Sequence, residues 1–227
     1  MDYYLKTVNF LQQELGPKFE IRYKDESLLM KILGLLAFFN KGFMTDFTTA
    51  WGRKVYFPNR KFVEENPTRA AKILAHEYVH IYDGYQGHVR YSILYAAPQG
   101  FALVFLASFI VLLCTMGVAH WLPWAHCALG LLCASPLPAY WRARYEARGY
   151  VMSMACNLWR YGGVEEDTLK WIEDQFTGWG YYKMWPFKSE VRRWLVDGLD
   201  MLQGRSDPEF LGGSKEPYVK INKLFTE

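Results

Sequence analysis

The chain has 227 residues, of which 51% are hydrophobic, 22% are charged and 18% are aromatic. This length supports one domain with a sizeable core, and so much apolar material excludes a disordered chain. The net charge of +3 is too small to indicate a nucleic-acid partner, and four cysteines are too few for a fold built on disulfides. We therefore expect no nucleic-acid binding, while the sequence leaves open whether the protein forms an oligomer.

Hydrophobic periodicity and turn signals divide the chain into a mixed N-terminal part and a helical C-terminal part. In the N-terminal part we expect a helix over 2–15, a strand over 19–23, a helix over 26–39, strands over 43–49 and 53–57, and a helix over 68–82. In the C-terminal part we expect helices over 142–159, 165–176 and 189–202. The sequence thus predicts an α+β fold that starts with an αβαββα unit.

A long apolar segment lies between Arg90 and Arg142, where no charged residue occurs. Its first part, Gly100 to Ala119, is a run of about 20 uncharged residues, which as a helix would span the hydrocarbon core of a bilayer. A shorter apolar run follows from Ala125 to Ala139. Together they predict a transmembrane helical hairpin inserted over 91–141. The alternative is a buried helical pair in a soluble protein.

The basic residues at both ends of this segment predict how the hairpin is oriented. They are Arg90, Arg142, Arg144 and Arg148. Because basic residues favour the cytoplasmic side, we expect the hairpin in the lipid bilayer and the polar body facing the cytoplasm. The N-terminus has neither a basic start nor an apolar run, so no signal peptide is expected.

His76, Glu77 and His80 form an H-E-x-x-H motif on the helix expected over 68–82. Histidines four residues apart project from the same face of a helix, so both can bind one metal ion. Zinc lowers the pKa of a water molecule that it binds, and a neighbouring carboxylate can then take the proton. The motif therefore predicts Zn²⁺ as cofactor, His76 and His80 as ligands, and Glu77 as the catalytic base.

With this motif the chain resembles the zincin metallopeptidases, and the resemblance implies a polypeptide substrate. In zincins, the edge of a strand near the motif helix holds the substrate in an extended conformation. By this resemblance, substrate binding falls to the strand that contains Arg53, Lys54, Val55, Tyr56 and Phe57.

A catalytic zinc site needs a third protein ligand and an open position. The resemblance to glutamate zincins implies Glu146, which follows the apolar segment. The arrangement is most similar to the membrane-embedded HtpX and CAAX-protease family, in which transmembrane segments separate the H-E-x-x-H helix from an E-x-x-A-D motif. Here Gly149 and Tyr150 occupy the last two positions, so Tyr150 replaces the aspartate that orients a ligand histidine. Tyr150 and Tyr145 are candidates for that role or for stabilising an oxyanion.

His88 and Asp83 are two alternative candidates for the third ligand. His88 comes later in the chain than the metzincin spacing requires, and Asp83 is better explained as a carboxylate near the end of the motif helix. A structural alternative for Glu146 is a salt bridge with Arg142 or Arg144.

These expectations divide the chain into four regions. They are a zincin-like part over 1–90, the apolar hairpin over 91–141, a helical part over 142–204 with the third ligand, and an extended tail over 205–227. The expected function is a membrane-anchored zinc metallopeptidase that hydrolyses peptide bonds with metal-activated water. The alternative is a catalytically inactive, zincin-like structural protein of a membrane or virion assembly.

Overall fold

The computed structural model describes residues 2–36, 42–97, 124–125, 139–178, 183–205 and 209–226. Most of these residues are helical, and the strands are short. In chain order the elements are α1 (Asp2–Leu15), β1 (Glu20–Tyr23), α2 (Leu28–Leu36), β2 (Thr49–Trp51), β3 (Lys54–Phe57), α3 (Arg60–Glu65), α4 (Pro67–Ala96), α5 (Tyr140–Tyr161), α6 (Glu166–Thr177), α7 (Lys188–Leu202), β4 (Glu209–Phe210), β5 (Gly213–Ser214) and α8 (Glu216–Thr226).

The N-terminal sheet has the strand order β1-β3-β2, so β3 is its central strand. Val55 of β3 lies opposite Ile21 in the parallel pairing with β1 and opposite Ala50 in the antiparallel pairing with β2. Gly52, with φ of +62°, lies in the turn between β2 and β3. The strand expected over 43–49 is displaced, because that segment starts with turns and β2 begins only at Thr49.

Helix α4 carries the H-E-x-x-H motif and extends well past the predicted end at residue 82. Pro67 occupies the first turn, where its missing N–H would have no partner within the helix. The helix is broken at His88, whose φ of 46° and ψ of −130° are not helical.

The chain reverses direction at this break. In a straight α-helix, His80 and Tyr95 would be separated by roughly 22 Å along the axis. Their rings are 5.8 Å apart, so the part of α4 after His88 folds back against the motif. We call residues 89–96 the return segment.

The core is built around the packing of α4 against α5, which is the most extensive contact between two elements in the described part of the chain. Small, fully buried side chains on both helices allow this close approach. They are Ala70, Ala71 and Ala75 of α4 and Ala143, Ala147 and Ala155 of α5. Helix α1 packs on α4, while α7 and α8 pack on α5.

The tail expected to be extended over 205–227 contains instead the β4–β5 hairpin and helix α8, so that expectation is wrong. Tyr218, Ile221 and Phe225 are spaced three and four residues apart and are buried in the core. This spacing forms one apolar helix face, which explains why the segment is helical.

The transmembrane hairpin predicted over 91–141 requires a correction. Within the described ranges, none of the helices combines the length and apolar character needed to cross a bilayer, because the long helices α4 and α5 both carry charged side chains. The centre of the apolar segment, residues 98–138, lies outside the described residues except for Trp124 and Ala125. The predicted fold class is therefore wrong in its inserted hairpin, and so are the transmembrane assignment and the membrane localisation that depended on it.

Candidate metal centre

Helix α4 brings the two motif histidines together. His76 and His80 lie one helical turn apart, and their Nε2 atoms are 3.0 Å from each other. His80 is buried and His76 is nearly so. Two ring nitrogens this close to each other could both bind one metal ion.

Helix α5 supplies the third group, Glu146. Its Oε2 atom lies 3.6 Å from His76 Nε2 and 3.7 Å from His80 Nε2. Two ligands of a tetrahedral zinc ion are separated by roughly 3.3 Å, since each lies about 2 Å from the metal. The three donor atoms are therefore close enough together to hold one metal ion, and this is the one such group found among the described residues.

The charges of the site favour an ionised Glu146. Burial alone would raise the pKa of this carboxyl group, but attraction to His80 and hydrogen bonds to both histidines outweigh burial and hold the pKa well below its usual value. Burial likewise opposes protonation of His80, yet the same carboxylate raises the pKa of that ring. A divalent cation would replace the proton in this arrangement, because metal ligands bind in their deprotonated forms.

Glu77 follows His76 on α4 and lines the same cleft as the three donor residues. Its side chain is buried, and burial raises the pKa of the carboxyl group above its ordinary value. A carboxylate with a raised pKa is a better proton acceptor at neutral pH. Glu77 is therefore suited to take a proton from water bound beside it.

Two neighbours on α5 shape the environment of His76. A Cβ atom on Gly149 would lie 2.5 Å from His76 Nε2, so the absence of a side chain there makes room for the imidazole. Ser153 Oγ lies 3.3 Å from His76 Nδ1 and can fix the orientation of the ring. Glu146, Gly149 and Ser153 share one face of α5 through their spacing of three and four residues.

The two tyrosines expected to assist the site have different ring neighbours. The Tyr150 ring packs edge-on against the His76 ring at 5.1 Å, and Tyr145 packs against Tyr91. A third tyrosine, Tyr95 of the return segment, donates a hydrogen bond to Glu146 through its hydroxyl group. Burial and the neighbouring Glu146 raise the pKa of Tyr95 well above its ordinary value, so the phenol stays protonated and remains a donor. Tyr95 could not be assigned to the site from the sequence, because the helix expected over 68–82 ends before this residue.

The alternative third ligands lie elsewhere. Asp83 forms a two-point ion pair with the buried Arg148, with distances of 2.6 and 2.8 Å. His88 is exposed at the break in α4, with its Nδ1 atom 3.1 Å from the carbonyl oxygen of Gln86. Glu146 is therefore the third residue that the fold brings to the two histidines.

A cleft of about 900 Å³ opens beside the three donor residues. Most of its wall is apolar or aromatic. The residues that give it this character include Leu15, Phe43, Phe47, Trp51, Ile81 and Tyr85. The return segment contributes Tyr91 and Tyr95, and Arg53 and Arg142 supply positive charge. The cleft can hold an elongated ligand with bulky apolar groups next to the metal position.

The strand predicted to bind substrate is placed differently from the expectation. Lys54, Val55, Tyr56 and Phe57 form β3, whose backbone already pairs with β1 and β2. The side chains of Val55, Tyr56 and Phe57 are buried in the core. This strand therefore cannot add a substrate strand, and of the predicted set only Arg53, in the turn before it, lines the cleft. Strand β2 lines the cleft instead and has one strand neighbour within the described residues.

Among known protein families, curated proteins and solved structures, none matches this chain. The resemblance to zincins therefore depends on the H-E-x-x-H motif and on Glu146.

Proposed function

We propose that this protein is a zinc-dependent hydrolase that cleaves peptide bonds. The observation that carries the proposal is the convergence of His76, His80 and Glu146 in a cleft that also contains Glu77. Two imidazoles and one carboxylate are a known ligand set of catalytic zinc, and three protein ligands leave one position open. Bound zinc would supply an acidified water molecule and would polarise the substrate carbonyl group.

The residues of the chain would move the protons in this reaction. Glu77 would accept a proton as the water oxygen attacks the carbonyl carbon, and it would then donate that proton to the departing amine nitrogen. The raised pKa of the buried Glu77 supports the first step, because a more basic carboxylate takes up a proton more readily.

The cleft supports an extended polypeptide as substrate. Strand β2, Thr49–Trp51, lines this cleft, and its backbone would pair with a peptide strand. The aromatic and aliphatic side chains around it favour a bulky apolar residue near the cleaved bond. Arg53 and Arg142 add positive charge and would favour an acidic residue within reach.

The test replaces the proposed base. Glu77→Gln should lower kcat on a fluorogenic peptide library at least ~100-fold, because general base catalysis typically contributes that much or more. The variant should still bind one zinc ion per chain, measured by elemental analysis after dialysis. Glu64→Gln, the same chemical change on an exposed side chain of α3, is the control and should keep full activity.

Two results would contradict the proposal. One is a wild-type protein that binds no zinc at micromolar concentration. The other is a Glu77→Gln variant that cleaves the peptides as fast as the wild type.

A further inference from the structure

The two oxygen atoms of Glu146 face different partners. Oε2 is directed to the histidine pair, at 3.6 and 3.7 Å from the two Nε2 atoms. Oε1 accepts a hydrogen bond from the hydroxyl group of Tyr95. The carboxylate is thus held with one oxygen toward the metal position and the other on a phenol.

Tyr95 reaches this place because the chain reverses at His88. Two glycines on the motif side of the break make room for the return segment. A Cβ atom on Gly87 would lie 2.8 Å from Tyr91 Cβ, and one on Gly84 would lie 3.4 Å from the Tyr91 ring. Tyr91 and Tyr95 are four residues apart, and their rings stack with centroids separated by 5.5 Å. The glycines therefore allow a tyrosine pair to fold back over the donor residues.

The Tyr95 ring is held on several sides. Its centroid is 5.8 Å from the His80 ring, and the Arg142 guanidinium group lies 5.4 Å from it. Such contacts limit the positions that the ring can take, so the hydroxyl group is aimed at one atom.

We infer that Tyr95 is a positioning residue that makes Glu146 a ligand through a single oxygen. This inference rests on the metal site of the proposed function. A carboxylate without an outer partner can rotate or bind a metal through both oxygens, and binding through both would fill the position that water needs. Loss of a hydrogen bond to a metal ligand from a residue that does not itself bind the metal typically weakens metal affinity by about 10–100-fold. The Tyr95 hydroxyl group fixes the carboxylate in the orientation that leaves that position open.

The test compares zinc and cobalt binding in matched tyrosine variants of the full chain. Tyr95→Phe removes only the hydroxyl oxygen and should weaken zinc binding about 10–100-fold in a competition assay with a chromophoric chelator. It should also change the visible absorption of bound Co²⁺, which reports the number and geometry of the ligands. Tyr161→Phe makes the same change on an exposed tyrosine at the end of α5 and should leave both measurements within about twofold of the wild type.

The outcomes separate this inference from the proposed function. A wild-type protein that binds no zinc overturns both. If the wild type binds zinc and Tyr95→Phe has the same affinity and the same Co²⁺ spectrum, the role of Tyr95 is overturned and the hydrolase proposal stands. Circular dichroism in EDTA checks that the variants fold. A crystal structure of the wild type with zinc gives a test that needs no variant: zinc held by both Glu146 oxygens would also overturn the inference.

Discussion

Gly149 on α5 lies directly against the imidazole ring of His76 on α4. A Cβ atom at position 149 would be 2.5 Å from His76 Nε2 and 2.6 Å from Cε1, much closer than nonbonded atoms approach. The position of a proposed metal ligand on one helix is therefore set by the absence of a side chain on the other.

Gly149→Ala is expected to displace the His76 ring and to weaken zinc binding at least ~10-fold, as loss of ligand orientation does in other metal sites. The measurement is a zinc competition titration. Gly163→Ala is the matched control, because a Cβ atom there would have no neighbour within 4 Å. Equal zinc affinity in the two variants would show that His76 is not constrained by this contact.

The buried pair of Asp83 and Arg148 should be a major contributor to stability. The Arg148 side chain is fully buried, and it also donates a hydrogen bond to the backbone oxygen of Ser214 at 3.0 Å. Asp83→Asn leaves the guanidinium charge without its carboxylate and is expected to lower the free energy of unfolding by about 3–5 kcal/mol. Urea denaturation followed by circular dichroism measures the change.

The control for this prediction is an exposed pair, Arg60 and Glu26, at 2.9 Å. Glu26→Gln is expected to change stability far less than Asp83→Asn does, because solvent screens exposed ion pairs. A similar small change in Asp83→Asn would mean that water reaches the buried pair.

Because Lys24 is buried, we expect the free energy of unfolding to rise with pH. Its side chain is fully buried, and its Nζ donates a hydrogen bond to the backbone oxygen of Phe43 at 2.6 Å. Burial lowers the pKa of Lys24 from 10.5 to about 8, against the attraction of Glu77. Between pH 8 and 10.5 the unfolded chain holds a proton that the folded chain has released, so raising the pH favours folding.

Over this pH range the titration of Lys24 should raise the free energy of unfolding by about 3 kcal/mol. Below pH about 8, Lys24 should not make stability depend on pH. Lys24→Met removes the titrating group, so the stability of this variant should not show the rise. All other titrating groups are present in both proteins, so their effects on stability are shared. Urea unfolding of the two proteins at pH about 8 and about 10 checks this. A stability difference that stays constant between these pH values would contradict the prediction.

The sequence predicted the helix that carries the H-E-x-x-H motif, because spacing within one helix is a local property. His76 and His80 follow from the helical period, and the helix over 2–15 was placed by its own apolar pattern. Glu146 was chosen by resemblance and could not be derived from spacing. Its approach to the histidines depends on the packing of α4 on α5, which is a tertiary property.

Other features were beyond local patterns. The helix was expected to end at residue 82, whereas it continues, and Gly84 and Gly87 accommodate Tyr91 after the reversal at His88. The central position of β3 depends on a parallel pairing with β1, which is distant in the chain. The apolar face of α8 was present in the sequence as the spacing of Tyr218, Ile221 and Phe225, but the neighbouring glycine and proline residues suggested an extended tail.

The proposed ligands come from two helices that are far apart in the chain, and this has a consequence for protein turnover. A cation held by α4 and α5 would act as a cross-link that exists only in the folded state. At a free zinc concentration of about 100 times Kd, such binding adds about 2.7 kcal/mol to the free energy of unfolding. Removal of such a cation would make the unfolded chain more populated, and unfolded chains are the ones that proteases degrade.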